Sequence, residues 1–270
     1  VFYNLINIIS RHPEGYHQQI QEAAETNMLM MPDDDPLQFE GEPIRAKERG
    51  LEQVIYVDWH RRGMFNDHFL GPETTRYLFE SVHYPEQGNF VDQYYNYDID
   101  QQDGSIEVTL RRDGAVWLGQ VHLPVRVEKT FVLHDNQTQL TAKYRVTNTG
   151  EISLSTRLGV ELAFGVDGGD NLEYCHLDVN GQQHGLGESH EISGIDGLRA
   201  VTHIRQFAVD FSWNTPATLW SFPLAPITLS EGGFERVHQG VVTMPIWQLT
   251  LDPSEIWEVE IDLLFSPSGE

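Results

Sequence analysis

The chain has 270 residues, 40% of them apolar, which is enough for one large domain with a buried core. Its 41 acidic residues against 17 Lys and Arg give a formal net charge of −24, which repels phosphate backbones and excludes nucleic acid as an expected partner. No run of 18 apolar residues occurs, so no membrane span is expected, and the single Cys175 excludes an internal disulfide and favours a reducing, cytoplasmic location.

The first fifty residues predict a helix and an acidic connection. Residues 2–9 are apolar and predict a strand or a helix. Pro13 and Glu14 are typical of a first helical turn and predict a helix through about Thr26. The three aspartates at 33–35 lack the alternating spacing of a calcium loop, so no metal is predicted there. Because the chain begins at Val1 rather than at methionine, we expect it to be part of a longer protein.

A short second helix is predicted over residues 72–81, and the pattern then changes to alternating apolar and polar side chains. A period of two indicates strands with one buried face. Such strands are predicted at 106–110, 125–133, 140–146, 152–166, 207–213, 218–222, 241–251 and 257–265. The strand at 152–166 would span about 50 Å, which favours large curved sheets. Four Asp-Gly or Asn-Gly pairs, beginning at residues 103, 113, 180 and 196, predict tight turns.

Strands that follow strands predict an all-β fold. We expect a large two-sheet antiparallel β-sandwich with one or two short helices near the N-terminus. The whole chain, residues 1–270, is predicted to form a single domain, into which residues 1–52 lead as a helix and an acidic loop. Residues 167–171, with two carboxylates around two glycines, are more typical of a hairpin end than of a metal site.

Aromatic residues are the clearest sign of sugar binding, because pyranose rings pack on flat aromatic faces. Trp213, Trp247 and Trp257 fall on the apolar faces of their strands and are expected in the core. The sequence leaves the exposure of Trp59, Trp117 and Trp220 open. Residues 90–97 mix aromatics with amides and a carboxylate, a mixture typical of a carbohydrate site and also of a strand edge. Asp92 and Tyr94 are its candidate contacts.

The densest mixture of charge and aromatics lies in residues 58–70. It comprises Asp58, Trp59, His60, Arg61, Arg62, Asp67 and His68. No nucleophile elbow, Walker loop or dinucleotide fingerprint occurs, and the eight-residue spacing of His60 and His68 does not match a zinc motif. A glycosidase needs two carboxylates across a sugar, but 41 acids do not single out a pair. The sequence therefore predicts no catalytic residue, no metal and no cofactor.

Three segments in sequence order carry a family resemblance. They are residues 4–6 with 10–17, residues 46–51 with 56–62 and 67–69, and residues 230–240 with 245–247. Together they resemble the C-terminal domain of the glycoside hydrolase family 57 α-amylases and 4-α-glucanotransferases. The family pattern has a tyrosine where this chain has His60, so no family-wide role is expected for that histidine.

The resemblance implies a galactose-mutarotase-like supersandwich. It also implies a parent enzyme whose catalytic (β/α) barrel, with its glutamate nucleophile and aspartate acid, lies outside this chain. The expected function is that of a non-catalytic accessory domain which buttresses the barrel and contacts α-glucan. The alternatives are an autonomous carbohydrate-binding module and an aldose-epimerase-like enzyme. The epimerase would need a histidine and a glutamate that converge in a cleft as acid and base.

Within this interpretation the stretch from Asp58 to Leu70 becomes a structural corner. Asp58 and Asp67 are expected to pair with Arg61, Arg62 or His68, because arginine–carboxylate pairs have a specific geometry. The corner is expected to face the catalytic domain or its glucan. Together with Asp92 and Tyr94, these side chains are the candidates for a carbohydrate contact or a domain interface.

Overall fold

The computed structural model describes residues 10–166, 169 and 171–269. The element predicted over residues 2–9 lies outside the described residues, and so does most of the hairpin end predicted at 167–171. Among the described residues, no helix is long and apolar enough to cross a lipid bilayer.

The N-terminal part contains the predicted helix and short, irregular elements. Helix α1 (Gly15–Glu25) begins after Glu14, whose side chain and that of His17 cap each other's backbone amides. It is followed by β1 (Leu29–Met30), β2 (Ile44–Arg45) and single 3₁₀ turns at Pro36–Gln38 and Leu51–Gln53. Asp35 caps the first of these turns by accepting a hydrogen bond from the Leu37 amide, and Asp34 accepts one from the Met31 amide just after β1.

The rest of the chain is almost wholly β-structure. The elements are β3 (Met64–Leu70), α2 (Arg76–Glu80), β4 (Asn96–Gln102), β5 (Ser105–Leu118), β6 (Val121–His134), β7 (Gln139–Asn148), β8 (Leu154–Phe164), β9 (Cys175–Val179), β10 (Gln182–His184), β11 (His190–Thr202), β12 (Phe207–Leu224), β13 (Ile227–Ser230), β14 (Gly233–Arg236), β15 (Gly240–Leu251) and β16 (Ile256–Pro267). Strands β13 and β14 form a separate hairpin. The prediction of an all-β antiparallel sandwich is confirmed.

The long strand β12 joins the two sheets. Its first half, Phe207–Trp213, pairs with β16 and belongs to a large sheet with the order β10-β9-β11-β12-β16-β7-β6-β5-β4. Its second half, Thr218–Leu224, pairs with β15 on one side and with the first half of β11 on the other, and belongs to a small sheet with the order β11-β12-β15-β8-β3. The sequence predicted two separate strands here, because Pro216 and the polar residues around it interrupt the apolar alternation; the registers with β11, β15 and β16 skip residues 214–216, yet β12 continues through them.

The main core fills the space between the two sheets. Trp213 and Trp247 are buried in it, and Trp257 packs partly against it, as predicted. A second apolar layer covers the outer face of the small sheet, where Phe79 of α2 packs with Trp220 and Phe222 of β12. The loop of residues 58–63 lies next to this second layer, because the Arg62 guanidinium lies over the rings of Phe79 and Phe222.

Several predicted turns and boundaries are wrong for identifiable reasons. The glycine of the pair at 113–114 lies inside β5, where a Cβ would come within 2.7 Å of the Phe90 ring. The glycine of the pair at 196–197 lies in a bulged part of β11, where a Cβ would meet the Phe211 carbonyl at 2.5 Å. These glycines permit close approach rather than reversal of the chain. The strand predicted at 152–166 is β8, with eleven residues, and the helix predicted at 72–81 is the five-residue α2.

Candidate functional site

The predicted charged stretch becomes a loop, residues 58–63, that leads into β3. Strand β3 is the last strand of the small sheet and pairs with β8. A bulge at its start gives Phe65 a φ of 63°. Because side chains alternate along a strand, Asp67 and His68 point to opposite faces of the sheet. The stretch is therefore divided into two clusters.

Glu161 of β8 is the centre of the cluster on the outer face, and its side chain is fully buried. One carboxylate oxygen, Oε2, lies 2.8 Å from Arg62 Nη1 and 3.0 Å from His60 Nε2. The other, Oε1, accepts hydrogen bonds from the Gly63 amide at 3.1 Å and from Asn66 Nδ2 at 3.3 Å. One carboxylate thus fastens the loop to β8 from several directions.

Asp58 extends this cluster to the N-terminal part of the chain. Its Oδ1 accepts hydrogen bonds from Arg62 Nε at 2.9 Å and Nη2 at 2.8 Å. Arg11 bonds both carboxylate oxygens through its guanidinium and also donates its backbone amide. Arg11 donates a further bond to the carbonyl of Glu80, the last residue of α2. The Asp58–Arg62 pair was predicted and is observed, whereas Arg11 was not foreseen.

His68 lies between two carboxylates. Its Nδ1 is 2.7 Å from Glu86 Oε2, and its Nε2 is 3.3 Å from Glu161 Oε2, which is an ion-pair distance. Glu86 is itself held by the amides of Phe69 and Gly88. Burial alone would lower the pKa of His68, but Glu86 and then Glu161 raise this pKa to about 9. His68 is therefore a cation at neutral pH.

The remaining pKa shifts agree with a balanced cluster. Burial would raise the pKa of Glu161, but Arg62 and His60 hold it well below its usual range. Burial would likewise raise the pKa of Asp58, but Arg62 and Arg11 lower it to about 2. The pKa of His60 is lowered by burial, against the opposing effect of Glu161, so His60 is neutral. Three cations, Arg11, Arg62 and His68, then face the three carboxylates Asp58, Glu86 and Glu161.

Asp67 points the other way, into the space between the sheets. Its Oδ2 lies 2.7 Å from Lys129 Nζ on β6 and accepts a hydrogen bond from the Tyr95 hydroxyl. The same ammonium group donates to the Phe65 carbonyl at 2.7 Å. The prediction that Asp67 pairs with an arginine or with His68 is wrong, because strand alternation places it on the opposite face of β3 from them.

Four candidate residues reach the surface: Trp59, Arg61, Asp92 and Tyr94. Trp59 is 50% exposed and its ring lies 4.6 Å from that of His60. Arg61 is exposed and does not join the buried ion pairs; its backbone amide donates to Asp92 at 2.9 Å. Tyr94 is 95% exposed. Of the tryptophans that the sequence left open, Trp59 and Trp117 are exposed and Trp220 is buried.

The fold also brings together three residues of types that bind metals, although the sequence spacing of His60 and His68 did not match a zinc motif. The nearest nitrogens of His60 and His68 and an oxygen of Glu161 lie within 4.8 Å of one another. Two histidines and a glutamate are common zinc ligands. Here, however, the Arg62 guanidinium lies 2.8 Å from the same Glu161 oxygen, and a divalent cation would add charge to a cluster that is already balanced. The arrangement fits a network of ion pairs better than a metal centre.

The epimerase alternative required a histidine and a glutamate that converge in a cleft. Such pairs exist, but His60, His68 and Glu161 are buried under the second apolar layer, where no sugar can reach them. The sequence missed Glu161 and Lys129. Lys129 is the one charged residue among the inward apolar positions of β6, and Glu161 is the one charged residue in the buried apolar run at the end of β8. A single charge in such a position indicates that a buried partner of opposite charge is present.

This curved antiparallel sandwich, in which β11 and β12 both run from one sheet into the other, is a galactose-mutarotase-like fold. A solved structure of a galactose mutarotase-like protein from Clostridium acetobutylicum superimposes with a TM-score of 0.51 at 10% identity, covering 76% of this chain and 80% of that one, which shows the fold alone. The structure of 4-alpha-glucanotransferase from Thermococcus litoralis superimposes with a TM-score of 0.63 at 25% identity, covering 80% of this chain and 29% of that one.

Sequence comparison agrees with this likeness. The family model described as alpha-amylase/4-alpha-glucanotransferase, C-terminal, matches residues 2–261. Alpha-amylase 1 of Dictyoglomus thermophilum is 24% identical over 264 residues, which are 96% of this chain and 35% of that protein. The 4-alpha-glucanotransferase of Thermococcus litoralis is 28% identical over 195 residues, 71% of this chain and 25% of that protein. The chain belongs to the family of C-terminal domains of α-amylases and 4-α-glucanotransferases, and it spans about a quarter to a third of these relatives.

Proposed function

We propose that this chain is a non-catalytic accessory domain of a larger α-glucan-processing enzyme, in which it supports a catalytic (β/α) barrel. The family and the short share of each relative that the chain spans support this proposal. A cytoplasmic location remains a prediction from the single cysteine.

The burial of the charged cluster is the observation that carries the proposal. Arg62 and Glu161 have no exposed side-chain surface, and each is bonded to other parts of the cluster. A carboxylate that cannot reach a glycosidic oxygen cannot act on it as acid or nucleophile. The residues that carry the family resemblance therefore fasten a loop, β3, β8 and the segment before α1 together.

Incubation of the purified 270-residue chain with maltoheptaose tests the proposal. We expect no hydrolysis and no chain-length redistribution by the isolated chain, but turnover by the complete polypeptide that contains it. Any turnover of maltoheptaose by the isolated chain would contradict the proposal, and its loss in Glu161→Gln would assign that activity to the buried cluster. A complete polypeptide without activity on α-glucans would contradict the assignment to a glucan-processing enzyme.

Direct contact with glucan is a second candidate function, supported by the surface next to the cluster. Trp59 and Tyr94 expose large aromatic faces, and Asp92, two residues before Tyr94, accepts a hydrogen bond from the amide of Arg61, two residues after Trp59. Calorimetry with maltoheptaose should show binding that Trp59→Ala weakens, whereas Trp117→Ala, which removes an exposed tryptophan elsewhere, should not. Absence of heat with the wild-type chain would remove this candidate.

A further inference from the structure

The large sheet extends beyond the small sheet that covers it. Strand β3, the last strand of the small sheet, lies over β6, because Phe65 contacts the Phe131 ring at 4.9 Å and its carbonyl accepts from Lys129. Strands β5 and β4 follow β6 in the large sheet. Residues 88–90 cover the inner face of β5 near Gly114, where Phe90 packs. The opposite end of the β4–β5 hairpin is left open.

The open end carries apolar side chains on its inner face. Tyr97 is 68% exposed and Ile99 is 62% exposed, although both lie on the side of β4 that faces the sandwich interior. Their cross-strand partners Leu110 and Val108 are half-buried, and Ile106 is exposed. We call Tyr97, Ile99, Ile106, Val108 and Leu110 the hairpin face.

The outer side of the same strand has the opposite character. Asn96, Asp98, Asp100 and Gln102 occupy the alternate positions of β4. A strand that alternates between apolar and polar side chains is patterned for burial of its apolar side. Scattered apolar residues on a surface need no explanation, but a contiguous patch across adjacent strands indicates an interaction site.

We propose that the hairpin face is a docking surface for the remainder of the longer polypeptide to which this chain belongs. This inference rests on the proposed function, since it assumes that the chain is one part of a larger enzyme. The relatives provide the occupant, because about two-thirds or more of their length lies outside the region that this chain matches.

A second copy of the chain fits this surface poorly. Strand β4 is the last strand of the large sheet, so antiparallel pairing of two copies through this edge would bring Asp98 and Asp100 against the same residues of the partner copy. The net charge of −24 adds long-range repulsion between copies. Free glucan also fits poorly, because the hairpin face offers few polar groups to bond sugar hydroxyls.

Hydroxyl-radical footprinting of Tyr97 tests the proposal on unmodified protein. We expect the oxidation rate of Tyr97 to fall several-fold in the complete polypeptide relative to the isolated 270-residue chain. Trp117, which is exposed on the outer face of β5, is the matched control and should react alike in both. Equal oxidation of Tyr97 in the two proteins would overturn the proposal.

Two variants of β4 sharpen this test. In the complete polypeptide, Ile99→Asp should restore the oxidation of Tyr97, whereas Asp98→Asn, on the outer face of the strand, should leave Tyr97 protected. If the isolated chain instead dimerises in light scattering and Ile99→Asp abolishes the dimer, the occupant is a second copy and the proposal fails. Activity on maltoheptaose, measured in parallel, tests the proposed function separately. A complete polypeptide that is active but in which Tyr97 is oxidised as fast as in the isolated chain contradicts the docking proposal and leaves the proposed function intact.

Discussion

The outer cluster, which is the group of ion pairs around Glu161, buries charged side chains, whereas the hairpin face exposes apolar ones. The outer cluster holds six charged groups away from water, which is costly unless every charge is paired. The hairpin face leaves isoleucine and tyrosine side chains exposed, which forgoes the gain of about 25 cal/mol per Å² that burial would give. The difference indicates that the charged region is complete within this chain, whereas the apolar region lacks its partner.

Among the substitutions that test this contrast, removal of the Arg62 side chain from the outer cluster should lower the free energy of unfolding the most. Arg62→Ala would leave Asp58 and Glu161 without their shared guanidinium, and we expect the free energy of unfolding to fall by about 3–5 kcal/mol. Urea denaturation measures this change. Arg145→Ala, which removes an exposed pair with Glu258, is the control and should cost less than about 1 kcal/mol. Equal losses in the two variants would mean that the corner is ordinary surface.

The charge on His68 should make the outer cluster sensitive to alkaline pH. The pKa of this buried group is raised from 6.5 when unfolded to about 9 when folded. Its contribution is therefore fully present below pH 6.5 and is lost as the pH rises towards 9, with a magnitude of about 3 kcal/mol.

Urea denaturation between pH 6 and 9.5 measures this slope. His68→Gln should be less stable than the wild type at pH 6 and should show a flatter dependence above pH 6.5. A wild-type chain that keeps its stability unchanged through pH 9 would contradict a cationic His68.

Truncation of the hairpin face should have the smallest effect. Ile99→Ala is expected to change the unfolding free energy of the isolated chain by less than about 0.5 kcal/mol, because its side chain has little to lose. Ile261→Ala, the same substitution at a buried position of β16, should cost about 2–5 kcal/mol. A large loss for Ile99→Ala, measured by urea denaturation, would mean that the hairpin face is already covered in the isolated chain.

The alternation of apolar and polar residues predicted the architecture well, because the apolar positions of a strand are those on its buried face. They did not predict that β12 serves two sheets, since pairing partners at a distance leave no mark in local alternation. They also misread Gly114 and Gly197 as turn residues, because a glycine that permits close packing looks the same in sequence as one that permits a positive φ.

The candidate site was predicted in part. Asp58 and Arg62 pair at a separation of four residues, so their contact could be inferred locally. Glu161 and Lys129 lie 99 and 62 residues from their partners Arg62 and Asp67, and only the sheet registers bring them together. The hairpin face could not be recognised from sequence at all, because its pattern is that of any half-buried strand.

A histidine titration by nuclear magnetic resonance tests the central claim, that the outer cluster is a sealed structural fastening and not an active site. The ring-nitrogen shifts of His60 and His68 report charge and tautomer directly. We expect His68 to stay protonated until about pH 9, His60 to be neutral at pH 7, and maltoheptaose to change the protonation of neither ring. A His68 that titrates near pH 6.5 as an exposed histidine does, or a change in the protonation of either ring on addition of the sugar, would contradict the claim.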